Sequence, residues 1–109
     1  MRRIRFYVGT QQGTTNGDGS QLTWDEFRSV YEWLSNRYGG YTAQSARGGW
    51  IDPSGKLVNE PSLIIEVLDN DPTRTPTLRD PKRVAGKIKS LLHQDCVLYT
   101  VEEIQGGFV

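Results

Sequence analysis

A compact turn signal, Asp52-Pro53-Ser54-Gly55-Lys56, stands between two strand-like segments, residues 41–51 and 57–68. Pro53 presets φ, Asp52 can cap the turn, and Gly55 accepts a left-handed backbone. The two segments therefore read as a β-hairpin, and pairing Asp52 with Lys56 sets its register. On that register Tyr41, Ala43 and Ser45 face the same way as Val67, Ile65 and Leu63. Thr42, Gln44, Ala46, Gly48 and Trp50 share the other face with Glu66, Ile64, Ser62, Glu60 and Val58. Gly48-Gly49 is a candidate bulge that would shift this parity near Trp50.

The remaining elements frame the hairpin. Residues 3–8 alternate, with Ile4, Phe6 and Val8 on one face and Arg3, Arg5 and Tyr7 on the other, the period of a half-buried strand. A polar run follows over residues 9–21, with the turn dipeptides Asn16-Gly17 and Asp18-Gly19. Thr23 and Glu26 match a capping box. Trp24, Phe27, Val30, Tyr31 and Leu34 then recur at helical spacing until Gly39-Gly40. A second polar loop over residues 69–79, with Pro72 and Pro76, leads to a helix opened by Asp80-Pro81. Val84, Ile88, Leu91 and Leu92 form its apolar stripe. Residues 96–101 are the last main strand, and residues 104–109 could add a short edge piece. The order strand, helix, strand, strand, helix, strand predicts a single α+β domain over residues 1–109 with a ferredoxin-like antiparallel sheet. Both helices would cover one face and leave the other open. The expected core is Ile4, Phe6, Val8, Trp24, Phe27, Val30, Tyr31, Leu34, Leu63, Ile65, Val67, Val84, Ile88, Leu91 and Leu98.

Composition narrows the function classes. Thirteen basic and 13 acidic side chains give zero formal net charge, which argues against sequence-blind adhesion to nucleic acid or anionic membrane. One cysteine and one histidine exclude a disulfide framework within the chain and any thiolate-rich or histidine-rich metal site. The opening apolar run is broken by Arg5 and Gly9, unlike a signal peptide, and no stretch resembles a membrane span, so a cytoplasmic location is expected.

Three segments together carry a family resemblance: Ala46-Arg47-Gly48-Gly49-Trp50, Asp52-Pro53-Ser54-Gly55-Lys56 and Asn59-Glu60-Pro61-Ser62. They resemble the G-Q-W segment, D-x-S-G turn and R-E-x-S strand of small bacterial proteins grouped as domain of unknown function family 3574. Gln94-Asp95-Cys96-Val97-Leu98 is similar to the Q-x-x-V-L stretch with which those proteins end. Gly49 stands where that family has glutamine, and Asn59 where it has arginine. The resemblance implies a ferredoxin-like fold and carries no activity with it.

Four places could carry function. The first is the open sheet face, where Arg3, Arg5 and Tyr7 would neighbour Glu60, Ser62, Ile64 and Glu66. Opposite charges there suit a polar ligand, a self-complementary interface or simple solvated ion pairs. The second is the 9–21 loop feeding the helix start at Thr23, a mobile loop or small hairpin whose amides could meet an anion, although no nucleotide-binding fingerprint is present. The third is Arg47-Gly48-Gly49-Trp50 with Glu60. Arg47 could bind an anion and Trp50 stack on a flat ring. The structural alternative has Glu60 hydrogen-bonding across the bulge. The fourth is the basic helix with Arg79, Lys82, Arg83, Lys87 and Lys89, which reads as a solvated face. His93 belongs at a helix end, and Cys96 is expected to be buried and inert.

These readings point to a small ligand-binding or interaction module that self-associates as a homodimer or higher homo-oligomer. No catalytic residue, metal or cofactor is assigned. Its expected site is Arg47, Gly48, Gly49, Trp50, Arg5, Tyr7, Glu60 and Ser62, and its expected ligand is small and anionic or aromatic. A phage or mobile-element accessory protein binding a nucleotide-like messenger fits this outline. One alternative is a small dimeric enzyme with Glu60 or Glu66 as an acid/base carboxylate beside Arg5 and Tyr7. Another is a purely structural oligomer subunit.

Overall fold

The computed structural model describes residues 1–70 and 80–109. Six elements follow in chain order: β1 (Arg2–Gly9), α1 (Trp24–Tyr38), β2 (Thr42–Ile51), β3 (Leu57–Asp69), α2 (Pro81–Leu91) and β4 (Leu98–Glu103). The four strands make one antiparallel sheet in the order β2-β3-β1-β4, with the ferredoxin-like α+β connectivity that the sequence predicts. The expected loop through Pro72, Pro76 and Arg79 lies outside the described residues. Among the described residues no helix is long and apolar enough to cross a membrane.

The turn at Asp52 sets the register as expected. The Asp52 amide donates to the Lys56 carbonyl at 2.9 Å. One Asp52 carboxylate oxygen accepts from the Ser54 amide at 2.9 Å, the Ser54 hydroxyl at 2.6 Å and the Lys56 amide at 2.9 Å. Gly55 takes a φ of 85°, a region that a side chain would strain. Pairing then runs unbroken from Ile51–Leu57 to Thr42–Glu66. No bulge forms at Gly48-Gly49: Gly48 lies opposite Glu60 and Gly49 opposite Asn59. Two glycines permit a bulge but do not demand one, and the turn alone fixes a regular ladder here.

Ile4, Phe6, Val8, Ile65 and Val67 point to one face and are sealed by Phe27, Val30, Tyr31, Leu34 and Tyr38 of α1 with Val84, Ala85 and Ile88 of α2. The capping box at Thr23 and Glu26, the αL cap at Gly39 and the Asp80-Pro81 start all form. Two expected core residues lie outside. Trp24 is 64% exposed and leans on Tyr31 from the solvent side; Leu22 and Phe27 are buried in its place. These two occupy the positions flanking the cap that form a hydrophobic staple. Leu98 is 58% exposed because it pairs with Tyr7 and so faces the open side. Leu63 and Leu91 are half-buried, while Leu92 is fully buried. Residues 104–109 form no strand, although the Ile104 amide donates to the Met1 carbonyl at 2.8 Å.

Among the described residues one charged side chain is buried in the packed layer. Asp69, at the end of β3, is 5% exposed and bonds the Arg2 guanidinium at 2.6 Å. Removing the arginine leaves a buried carboxylate short of a donor. Arg2→Ala is therefore expected to lower unfolding free energy by about 2–3 kcal/mol in urea titration. A change within about 0.5 kcal/mol, the range of neutral surface substitutions, would contradict this role.

Candidate functional site

The polar run between β1 and α1 is folded into a small hairpin-like loop. Gln11 and Gln21 bridge its two arms. The Gln12 amide donates to the Ser20 carbonyl at 2.8 Å, and the Leu22 amide to the Thr10 carbonyl at 2.9 Å. The tip is fastened from outside by the segment after α2. Asp95 accepts from the backbone amides of Thr14 at 3.0 Å, Thr15 at 3.0 Å and Asn16 at 2.9 Å. The Gly13 amide donates to the His93 carbonyl at 2.7 Å. Gln94, 5% exposed, accepts from the Gly9 amide at 2.9 Å and donates to the Gln11 carbonyl at 2.8 Å. His93 makes the bend possible by adopting a φ of 50°.

This fastening leaves a cavity of about 590 Å³ between the loop and the far end of the hairpin. Gly9, Gln12, Thr14, Gly19, Trp50, Glu60, Asp95 and Cys96 are among its lining residues. The volume falls in the range of small-molecule sites, roughly 300–1,000 Å³. Trp50 is half exposed and presents an aromatic surface. Glu60 makes no hydrogen bond or ion pair among the described residues, so its carboxylate is available. The lining contains two carboxylates and neither lysine nor arginine. Such a wall repels anions and suits an uncharged or cationic molecule with donor groups. Cys96 is exposed at this wall, contrary to the buried position expected for it. His93, Gln94 and Asp95 are used to hold the loop, and β4 starts only at Leu98.

The expected site residues divide into separate places. Trp50, Glu60 and the loop come together. Gly48 faces Glu60 across the ladder, and Ser62 lies opposite Gly9, half-buried. Arg47 pairs with Pro61 on the helix-facing side, three residues from Trp50 and therefore on the opposite face. The two cannot clamp one ligand within a subunit. Gly49 also lies on the helix-facing side. Arg5 and Tyr7 pair with Glu66 and Ile64, so Arg5 is about 20 Å along the strand from the level of Glu60. Arg5 bonds Glu66 at 3.0 Å, while Arg3 lies 3.6 Å from Glu66 and 2.6 Å from Glu102. The guanidiniums and carboxylates at that end neutralise one another. Glu66, engaged by two arginines, is poorly placed as a free acid/base.

The start of α1 offers no anion site either. Glu26 and Thr23 satisfy each other's amides, and Asp25 and Glu26 place negative charge in the first turn. Lys82, Arg83 and Lys87 are exposed, and Arg83 lies 3.6 Å from Asp80. Among the described residues no group of three or more potential metal ligands comes together. Gln94 and Asp95 are the residues that the sequence hides. Each is one polar side chain after a helix, and only the folded loop reveals what it holds.

No protein-family model and no curated relative matches the chain. Solved structures do match its fold. A phage SAM lyase in complex with S-methyl-5′-thioadenosine is 20% identical, with a TM-score of 0.65 over 94% of this chain and 80% of that one. The periplasmic divalent cation tolerance protein CutA from Archaeoglobus fulgidus is 11% identical, with a TM-score of 0.62 over 99% of this chain and 88% of that one. A CutA structure from Pyrococcus horikoshii is also 11% identical, with a TM-score of 0.60 over 99% and 87% of the two chains. At these identities the likeness establishes the shared fold.

Two outcomes test how the loop is held. A Cβ on Gly13 would collide with the Asp95 carboxylate, so Gly13→Ala should detach the loop tip. The amides of Thr14, Thr15 and Asn16 should then lose their hydrogen-exchange protection while those of β1 keep theirs. Unchanged protection would contradict the arrangement. Hydrogen bonds from Asn16, Thr15 and Thr14 hold the Asp95 carboxyl below its ordinary value of 3.8. Its hold on the loop is therefore complete above that value and lost as pH falls through the depressed one. In an NMR titration the three amides should shift together with a midpoint below 3.8, and Asp95→Asn should abolish the shared transition. A midpoint above 3.8 would contradict the assignment.

Proposed function

We propose that the chain is a small ligand-binding module whose cavity between the 9–21 loop and the hairpin takes an uncharged or cationic nucleoside. The observation that carries this reading is the pairing of a half-exposed indole, Trp50, with an unpartnered carboxylate, Glu60, in a cavity of about 590 Å³. Trp50 stacks on the base, and Glu60 accepts from ribose hydroxyls or an amino group. The absence of lysine and arginine from the lining disfavours a nucleotide phosphate, so the messenger class narrows from nucleotide-like to nucleoside. The thioadenosine bound by the phage lyase of the same fold is an uncharged nucleoside, which supports both the ligand class and a phage or mobile-element setting. A cytoplasmic site of action belongs to the same reading.

The free state of Glu60 also favours a second reading, a small enzyme in which this carboxylate moves a proton on the bound nucleoside derivative. The two readings separate on turnover.

Titration calorimetry with S-methyl-5′-thioadenosine, adenosine and adenosine monophosphate tests the proposal. The nucleosides should bind, and the monophosphate should bind more weakly. Trp50→Ala should weaken binding by tenfold or more, as expected for a stacking contribution of about 1–3 kcal/mol. Glu60→Gln should weaken it while leaving the thermal midpoint in place. Preference for the monophosphate, or equal affinity in both variants, would overturn the site. Product formation from the bound nucleoside derivative, lost in Glu60→Gln, would favour the enzyme.

A further inference from the structure

Along α1 runs an open groove of about 460 Å³ that shares no lining residue with the cavity at Trp50. Trp24, Arg28, Tyr31, Glu32, Asn36 and Tyr41 are among its lining residues. Tyr41, just before β2, stacks on Tyr31 with ring centroids 4.2 Å apart and planes 4° apart. Trp24 lies 5.9 Å from Tyr31, tilted by 54°. The three rings are contiguous, and the outer two stay in water: Trp24 is 64% exposed and Tyr41 39%. A single exposed apolar side chain is ordinary, but a linked group marks a contact surface. The polar groups of the groove are mostly donors. Arg28 and Glu32 bond each other at 2.9 Å, so this carboxylate is spent and the charge is balanced. The Trp24 indole N–H, the Tyr31 and Tyr41 hydroxyls and the Asn36 amide have no hydrogen-bond partner among the described residues. Each of them can donate, and the indole N–H can do nothing else. Burial, with the Tyr41 phenol beside it, holds the Tyr31 hydroxyl above its ordinary value, so its proton stays available.

We infer that this groove docks a proline-rich segment of a partner protein in the polyproline II conformation. A proline residue accepts hydrogen bonds at its carbonyl and has no backbone N–H to offer. Such a segment is rich in acceptors and poor in donors, the complement of the groove. Its pyrrolidine rings pack against aromatic faces, and its preformed helix loses little entropy on binding. The balanced charge of the lining favours an uncharged partner segment over an acidic or basic one. From Trp24 to Asn36 the groove follows α1 for about 18 Å, at roughly 1.5 Å per residue. That length matches about six residues of polyproline II at roughly 3.1 Å each. The surface is separate from the nucleoside cavity and goes beyond the ligand reading.

An acetylated and amidated proline decamer tests this, titrated into the full chain and followed by NMR. Saturable shifts should appear at the Trp24 indole and at Tyr41, with the Trp50 indole unmoved. Trp24→Ala should weaken binding about tenfold or more. Circular dichroism should keep the wild-type signature in that variant, because the indole lies outside the core. Tyr41→Phe keeps the ring stack and removes one donor, and should weaken binding roughly threefold to tenfold. A glycine-serine decamer should not bind. No saturable shift with the proline decamer, equal binding of the glycine-serine decamer, or full affinity in Trp24→Ala would each overturn the inference. Shifts at Trp24 with a chitin oligosaccharide and none with the proline decamer would assign the groove to a glycan. Shifts there that grow with protein concentration alone would assign it to a second copy. Either result would also overturn the proline-rich partner.

Discussion

The Gln94 amide joins two parts of the chain that are distant in sequence: the end of β1 with the start of its loop, at Gly9 and Gln11, and, through a 3.2 Å bond to the Leu92 carbonyl, the exit from α2. It is 5% exposed and its donors and acceptor are used, which is the condition for burying a polar group at low cost. Next to it Asp95 gathers three consecutive amides. A polar loop of this length has little apolar surface of its own with which to offset its ordering entropy. Side-chain-to-backbone bonds from one short segment take the place of a core. The cavity exists because that segment holds the loop beside the hairpin, with Leu22 buried at the loop's exit as the apolar anchor.

Charge on the open face is divided by use. At one end Arg3 and Arg5 surround Glu66, and Glu102 joins them, so the groups are spent on one another. At the other end Glu60 stands free beside Trp50. A zero net charge conceals this contrast. It also decides between ligand classes. The neutralised end offers no unsatisfied group to a ligand, and the free carboxylate at the other end rejects anions while accepting hydrogen bonds.

The fold was legible because its signals are local. The Asp52–Lys56 turn carries the ladder, Thr23 and Glu26 carry the first helix start, and Asp80-Pro81 carries the second. The core was legible where period and burial agree and misleading where they separate. Trp24 has helical spacing but sits at the first helical position, and Leu98 lies on an edge strand facing the open side. Trp50 and Glu60 were readable as members of one site from the hairpin register. Arg47 was grouped with them by proximity in sequence, although a three-residue separation in a strand reverses the face. Gln94 and Asp95 could not be found as anchors, because their partners are about 80 residues away in the chain and are backbone atoms that any residue possesses.

The ligand proposed for this fold is a nucleoside lying between Trp50 and the 9–21 loop. Chemical-shift mapping with S-methyl-5′-thioadenosine locates it most directly. Saturable shifts are expected at the Trp50 indole and at the amides of Gly9, Thr14 and Gly19, with the Arg5 side chain unmoved. Shifts confined to Arg3, Arg5 and Tyr7, or none at saturating nucleoside, would contradict it.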